Sequence, residues 1–151
     1  MRHHFRFWRL CIGALSLCHF TGVALAQEKP DAVVPGISDL FSRCELDALV
    51  ARYSASVEFT SPSTKLPLVG HSELAKYFAN ACDGKTFPVM RVESQRVTLL
   101  STDAAVVTGT YSFGRSDRPK EKPWPAFFVI TTVRSGNSWL IQTQATFAVP
   151  E

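Results

Sequence analysis

Three features of the chain predict an α+β domain. Apolar residues recur at helical spacing between Ile37 and Cys82, and from Phe87 onward they alternate or run continuously as they do in strands. The helical signals also precede almost all of the strand signals. Helices gathered ahead of a meander of long strands favour a mostly antiparallel sheet over an alternating helix–strand architecture.

The first helical signal is Ile37, Leu40, Phe41 and Cys44, one stripe at i, i+3, i+4, i+7. It follows a short polar leader, residues 27–36. The stripe then slips phase, and Leu46, Leu49, Val50 and Tyr53 begin a second one. One straight helix cannot keep both stripes on one side, so two short helices are expected to meet at an angle near Arg43–Glu45. "SVEFTSP" alternates Val57 and Phe59 against Glu58 and Thr60 and reads as a short strand. "STKLPLVG" reads as a loop. A third helix lies in "GHSELAKYFANACDG", where Leu74, Tyr77, Phe78, Ala81 and Cys82 share a face and Gly84 supplies the stop.

"FPVMRVESQRVTLLS" then gives a long or bent strand. "DAAVVTGTYSF" sets Val107, Tyr111 and Phe113 against Thr108, Thr110 and Ser112. "WPAFFVITTVR" is apolar on both faces, as a central strand can be. "SGN" turns the chain into "SWLIQTQATFA". Strict alternation in this last strand would put Trp139, Ile141, Thr143, Ala145 and Phe147 on one face. Leu140, Gln142, Gln144 and Thr146 would share the other. Two glutamines and a threonine in register suit a pocket lining, a subunit contact or a wet face.

The start of the chain is of another kind. "MRHHFRFWR" is basic, "LCIGALSLCHFTGVALA" is an apolar run of roughly 17 residues, and Ala24-Leu25-Ala26 matches a small-x-small cleavage site. Residues 1–26 therefore read as a secretory signal peptide. The competing reading is an N-terminal membrane anchor, for which the run is short and interrupted by His19 and Gly22. A lipoprotein site at "LSLC" is disfavoured by Leu17. Cleavage implies a periplasmic or secreted domain with no stable membrane insertion. It also removes Arg2, Arg6 and Arg9, leaving 13 basic against 13 acidic residues. A near-neutral domain without clustered Lys/Arg excludes nucleic acid as a partner.

Little in the remaining sequence carries chemistry. His71, the one histidine outside residues 1–26, stands beside Ser72 and Glu73, where either of the first two could cap the third helix and Glu73 would favour its dipole. No His/Cys/carboxylate cluster suggests a metal, and Gly109 and Gly114 are isolated, not part of a phosphate loop. No cofactor is expected. Glu58, Glu93 and Asp103 sit on faces that read as exposed, and Tyr111 sits on an apolar one. Cys44 and Cys82 fall on inward faces of separate helices. Export favours a disulfide between them; two buried thiols acting as small hydrophobes are the alternative.

"LDALVARYSASVEFTSP", "GHSELAKYF" and the closing "WLIQTQATFAVPE" together resemble the nuclear transport factor 2-like superfamily, also called SnoaL-like or steroid-isomerase-like. Within it they are most similar to bacterial stand-alone relatives of the calmodulin-dependent kinase II association domain. The resemblance covers residues 37–151 and implies a cone-shaped, curved, mostly antiparallel sheet wrapped by about three N-terminal helices. It also implies a homodimer or larger homo-oligomer. Where such relatives place a strand arginine this chain has Phe127, and the relatives' His-His falls on Gln144 and Ala145. A carboxylate-holding site would thus lack its cation. The residues expected at the pocket are Phe59, Tyr77, Tyr111, Phe127, Gln142, Gln144 and Thr146.

The expectation for function is an exported domain that binds a small apolar ligand or self-associates, without catalysis. The alternative is a small isomerase or lyase acting on a hydrophobic substrate through Tyr111, Gln144 and Glu58 or Glu93, which demands a carboxylate inside the cone. A third reading is a structural partner subunit with no open pocket.

Overall fold

A computed structural model describes residues 27–82 and 87–150. The predicted signal segment and Gly84 lie outside the described residues. A single helical turn, Pro30–Ala32, leads into α1 (Val33–Ser42) and α2 (Leu46–Val50). Then come β1 (Tyr53–Thr60), β2 (Leu68–Val69), α3 (Gly70–Ala81) and four long strands: β3 (Pro88–Leu99), β4 (Ala104–Arg115), β5 (Trp124–Ser135) and β6 (Ser138–Ala148). The strands form one sheet in the order β2-β1-β6-β5-β4-β3. All neighbours are antiparallel except β1 and β6, which run parallel. This is the α+β fold expected, three helices against a curved, mostly antiparallel sheet.

The segment expected as a leader is part of the fold. Val33 and Val34 are fully buried, so the apolar stripe of α1 begins four residues before Ile37. Further upstream the Glu28 carboxylate pairs with Arg52 and accepts the Trp139 backbone N–H at 3.0 Å. The Trp139 indole N–H donates to the Glu28 carbonyl at 3.2 Å.

The phase slip near residues 43–45 is a sharp corner: Cys44 takes a φ of 54° between α1 and α2. Tyr53, read as the end of the second stripe, instead opens β1, whose inward positions are Tyr53, Val57 and Phe59. Within the expected loop, Leu68–Val69 pairs with β1. Neither His71 nor Ser72 caps α3. The Glu73 carboxylate, from the fourth helical residue, accepts the Val69 N–H at 2.8 Å, while His71 Nε2 meets the Tyr53 carbonyl at 2.9 Å. Leu74 and Phe78 bury the helix face; Ala81, expected there too, is exposed. Cys44 and Cys82 form a disulfide, their Cα atoms 5.8 Å apart, tying the corner between α1 and α2 to the end of α3.

The register shifts between β1 and β6 and at two places among the long strands. Between Val92 and Ser94 the β3–β4 register shifts, and Gly109 stands opposite Gln95. A Cβ built on Gly109 would lie 2.0 Å from the Ser94 carbonyl oxygen and 2.7 Å from the Phe128 ring. Only glycine permits so close an approach of two strands. The second irregularity lies in β6: Thr132 pairs with Ile141 but Thr131 with Thr143, so Gln142 is an extra residue.

That bulge changes the reading of the last strand. Before it, Trp139 and Ile141 point inward; after it, Gln144 and Thr146 point inward and Phe147 outward. The buried face thus carries aromatic, aliphatic and polar residues in succession, and strict alternation does not hold. β5 departs as well. It is central, with Ala126, Phe128, Ile130 and Thr132 buried, yet its other face leaves Phe127 and Val129 exposed.

Candidate functional site

Between the helices and the concave face of the sheet lies a cavity of about 490 Å³. Its helical wall is apolar, built from Ile37 and Phe41 of α1, Leu49 of α2 and Phe78 of α3. Opposite stand Phe59 of β1, Met90 of β3 and Phe113 of β4. Phe41, Phe59, Tyr77 and Tyr53 each lie with ring centroids within 6 Å of Phe78, so the wall is one aromatic cluster.

The polar groups sit at two levels. At the buried end the Tyr53 hydroxyl donates to Gln144 Oε1 at 2.9 Å, with Thr146 beside them on β6. Burial, and then proximity to Tyr77, hold the Tyr53 phenol far above the usual tyrosine range, so this hydroxyl stays protonated. At the mouth Ser61, Ser63 and Tyr77 share hydroxyl contacts of 2.9 to 3.1 Å. Trp124, 55% exposed, packs on Phe113 at 4.9 Å. Arg115 closes the rim with its guanidinium on the Asp117 carboxylate at 3.0 Å, which holds the Asp117 pKa below its ordinary value.

Of the seven residues expected at a pocket, Phe59, Tyr77, Gln144 and Thr146 line this cavity. The other three are elsewhere. Gln142, as the bulge residue, leaves the inner face, and its amide donates to Ser56 at 3.3 Å. Phe127 is on the outer face, cross-strand from Phe147, so the position matched to a relative's arginine does not face the cavity. Tyr111 is fully buried behind the wall, stacked on Phe128 at 4.2 Å and edge-on to Phe113. Its hydroxyl has no partner among the described residues, and burial raises its pKa strongly.

Sequence reasoning missed Tyr53, Met90, Phe113 and Trp124 as lining residues. Tyr53 was detectable: it precedes Val57 and Phe59 at even spacing, a strand signal that the helical stripe masked.

None of the described lining residues is an Asp, Glu or His. Glu58 is exposed on β1, Glu93 accepts the Ser112 hydroxyl on an exposed face, and Asp103 pairs with Arg134 at 3.3 Å. Among the described residues no group of three or more His, Cys, Asp or Glu could hold a metal ion. No helix there is long and apolar enough to cross a membrane.

Sequence comparison matches residues 34–139 to the SnoaL-like domain. The chain belongs to the SnoaL-like domain family. No curated protein matches it. Among solved structures this SnoaL-like domain is similar to a protein from Xanthomonas campestris assigned as a calcium/calmodulin-dependent protein kinase II association domain. That pair has 19% identity and a TM-score of 0.69, over 80% of this chain and 86% of the other. A nuclear transport factor 2-like protein of unknown function from Pseudomonas putida KT2440 matches at 12% identity and TM-score 0.70, over 80% and 84%. A ketosteroid isomerase-like protein from Erwinia carotovora atroseptica matches at 17% and 0.64, over 80% and 94%. Identities this low speak for the shared fold alone.

Proposed function

We propose that this SnoaL-like domain is an exported, non-catalytic small-molecule-binding protein that also self-associates. One observation carries the binding role: a cavity of about 490 Å³ whose described lining is apolar and aromatic apart from a few neutral hydrogen-bonding groups and one rim arginine. That volume falls within the roughly 300–1,000 Å³ of ordinary ligand sites. The alternative, an isomerase or lyase of the kind the ketosteroid isomerase-like neighbour suggests, needs a base able to reach a bound substrate. Glu58, Glu93 and Asp103 stand outside the cavity, which favours binding over proton transfer.

Export to the periplasm or beyond is supported by the residue 1–26 pattern and by the Cys44–Cys82 disulfide, which suits an oxidising compartment. Self-association, as a homodimer or larger, is supported by Phe127, Val129 and Phe147, adjacent on the outer sheet face and 43 to 51% exposed.

Native mass spectrometry of the protein purified gently from a periplasmic extract tests all of this. A disulfide-bonded oligomer beginning at Gln27 and carrying an apolar adduct is the expected result. An uncleaved or monomeric chain would remove the export or assembly part. Turnover of an apolar carbonyl substrate by the purified protein would replace binding with catalysis.

A further inference from the structure

Polarity changes with depth in the cavity. The charged and exposed groups, Arg115 with Asp117 and Trp124, are at the mouth. The most buried polar residues of the lining are neutral: Tyr53 and Gln144, then Thr146 and Ser61 alike. Tyr53 donates its hydroxyl proton to Gln144 Oε1, which fixes the orientation of the amide. With the carbonyl oxygen occupied, the two amide N–H groups of Gln144 are left without a protein partner among the described residues. The Thr146 hydroxyl is likewise unpartnered. Gln144 is 6% and Thr146 7% exposed. Neither group is sealed in, since the buried atoms without a partner among the described residues are those of Arg52, Ser54 and Tyr111. Gln144 and Thr146 line the cavity, and a ligand that displaces water from the Gln144 amide must replace the hydrogen bond lost.

We infer that the cavity takes a neutral, largely apolar ligand bearing one hydrogen-bond acceptor, such as a carbonyl or ether oxygen, which enters acceptor-first and docks on the Gln144 amide. This rests on the binding reading above and adds polarity and orientation to it. An anionic ligand is excluded from the deep end, where none of the described residues lining it is a cation that would offset its desolvation. An ammonium is excluded for the same reason, with no carboxylate in the described lining. A hydrocarbon with no acceptor fits by shape but leaves the amide unsatisfied. The aromatic cluster around Phe78 then covers the apolar body, and Trp124 and the Ser61–Ser63–Tyr77 hydroxyls sit over its trailing end.

The test uses three tricyclic probes of nearly one shape: 9-fluorenone with its acceptor, fluorene without one, and anionic fluorene-9-carboxylate. Binding to the full mature protein is measured by equilibrium dialysis. Fluorenone should bind about five- to ten-fold more tightly than fluorene, the range a single net hydrogen bond supplies. The carboxylate should bind most weakly. Gln144→Leu should abolish the preference, and Thr146→Val should keep most of it. Fluorene binding as well as fluorenone, or a preference that survives Gln144→Leu, overturns this inference and leaves the binding role standing. Tightest binding by the carboxylate overturns it too. If none of the three binds, the binding role itself fails and takes the inference with it.

Discussion

Beyond the bulge, each face of the β5–β6 pair carries an exception to the usual rule. On the inner face stand Gln144 and Thr146, buried; on the outer face stand Phe127, Val129 and Phe147, exposed. Polar groups inside and aromatics outside are each costly for an isolated monomer. Both become favourable if the inside is occupied by a ligand and the outside is covered by another surface. The contrast therefore separates two roles, and substitutions on one face should leave the other untouched.

The largest effect should come from removing the geometry that separates the faces. Gly109→Val places side-chain atoms where the Ser94 carbonyl and Phe128 already are. A loss on the order of 4 kcal/mol is expected, at the upper end for a point substitution. Urea unfolding would measure it, and a loss under 1 kcal/mol would mean that the strands part easily at this bend. Next, replacing Cys44 and Cys82 together with Ala opens a link spanning 38 residues. The chain-entropy model puts that at about 4 kcal/mol, with less expected in practice. Because the bond ties two helical walls of the cavity, ligand affinity should fall alongside stability.

Smaller changes sharpen the contrast. Tyr53→Phe removes the hydroxyl that orients Gln144 and should cost about 1 kcal/mol. It should also weaken the preference for acceptor ligands, read in the same dialysis assay. Phe127→Arg should change monomer stability by no more than about 0.5 kcal/mol, as exposed substitutions do, while sedimentation reports loss of the oligomer and unchanged ligand binding. An oligomer that survives Phe127→Arg would locate the subunit contact elsewhere.

Alkaline titration gives the mildest test. Burial raises the folded-state pKa values of Tyr53 and Tyr111 above the ordinary 10.0, so each favours the fold fully below that pH. The contribution falls as pH climbs past 10. Two of the three tyrosines should thus yield their phenolate absorbance only as circular dichroism reports unfolding. Ionisation of all three before any unfolding would show that the cavity admits hydroxide to Tyr53.

Much of this was present in the sequence. Helical spacing marked α1, α2 and α3, the corner at Cys44 showed as a phase slip, and the alternation of Val57 with Phe59 marked β1. Four of the residues expected at a pocket line the cavity: Phe59 and Tyr77 from apolar stripes, Gln144 and Thr146 from the polar face of the last strand read with the family resemblance. The misplacement of Gln142 has a clear cause: periodicity carries phase only while register is unbroken. Gln142 reads as a partner of Gln144 until one inserted residue in β6 reverses the facing of everything before it relative to everything after. Phe127 and Phe128 are equally apolar in sequence, and only the pairing of β5 with its neighbours decides which of them the core receives.

The sequence by itself determined the order and type of the longer elements, α1 to α3, β1 and β3 to β6, because helix and strand periods are local properties of hydrophobicity. The tertiary structure alone decided where the cavity is and what it can hold. A bulge, a glycine too crowded for any side chain and a Tyr53–Gln144 hydrogen bond across 91 residues are relations between distant segments. No local pattern encodes them.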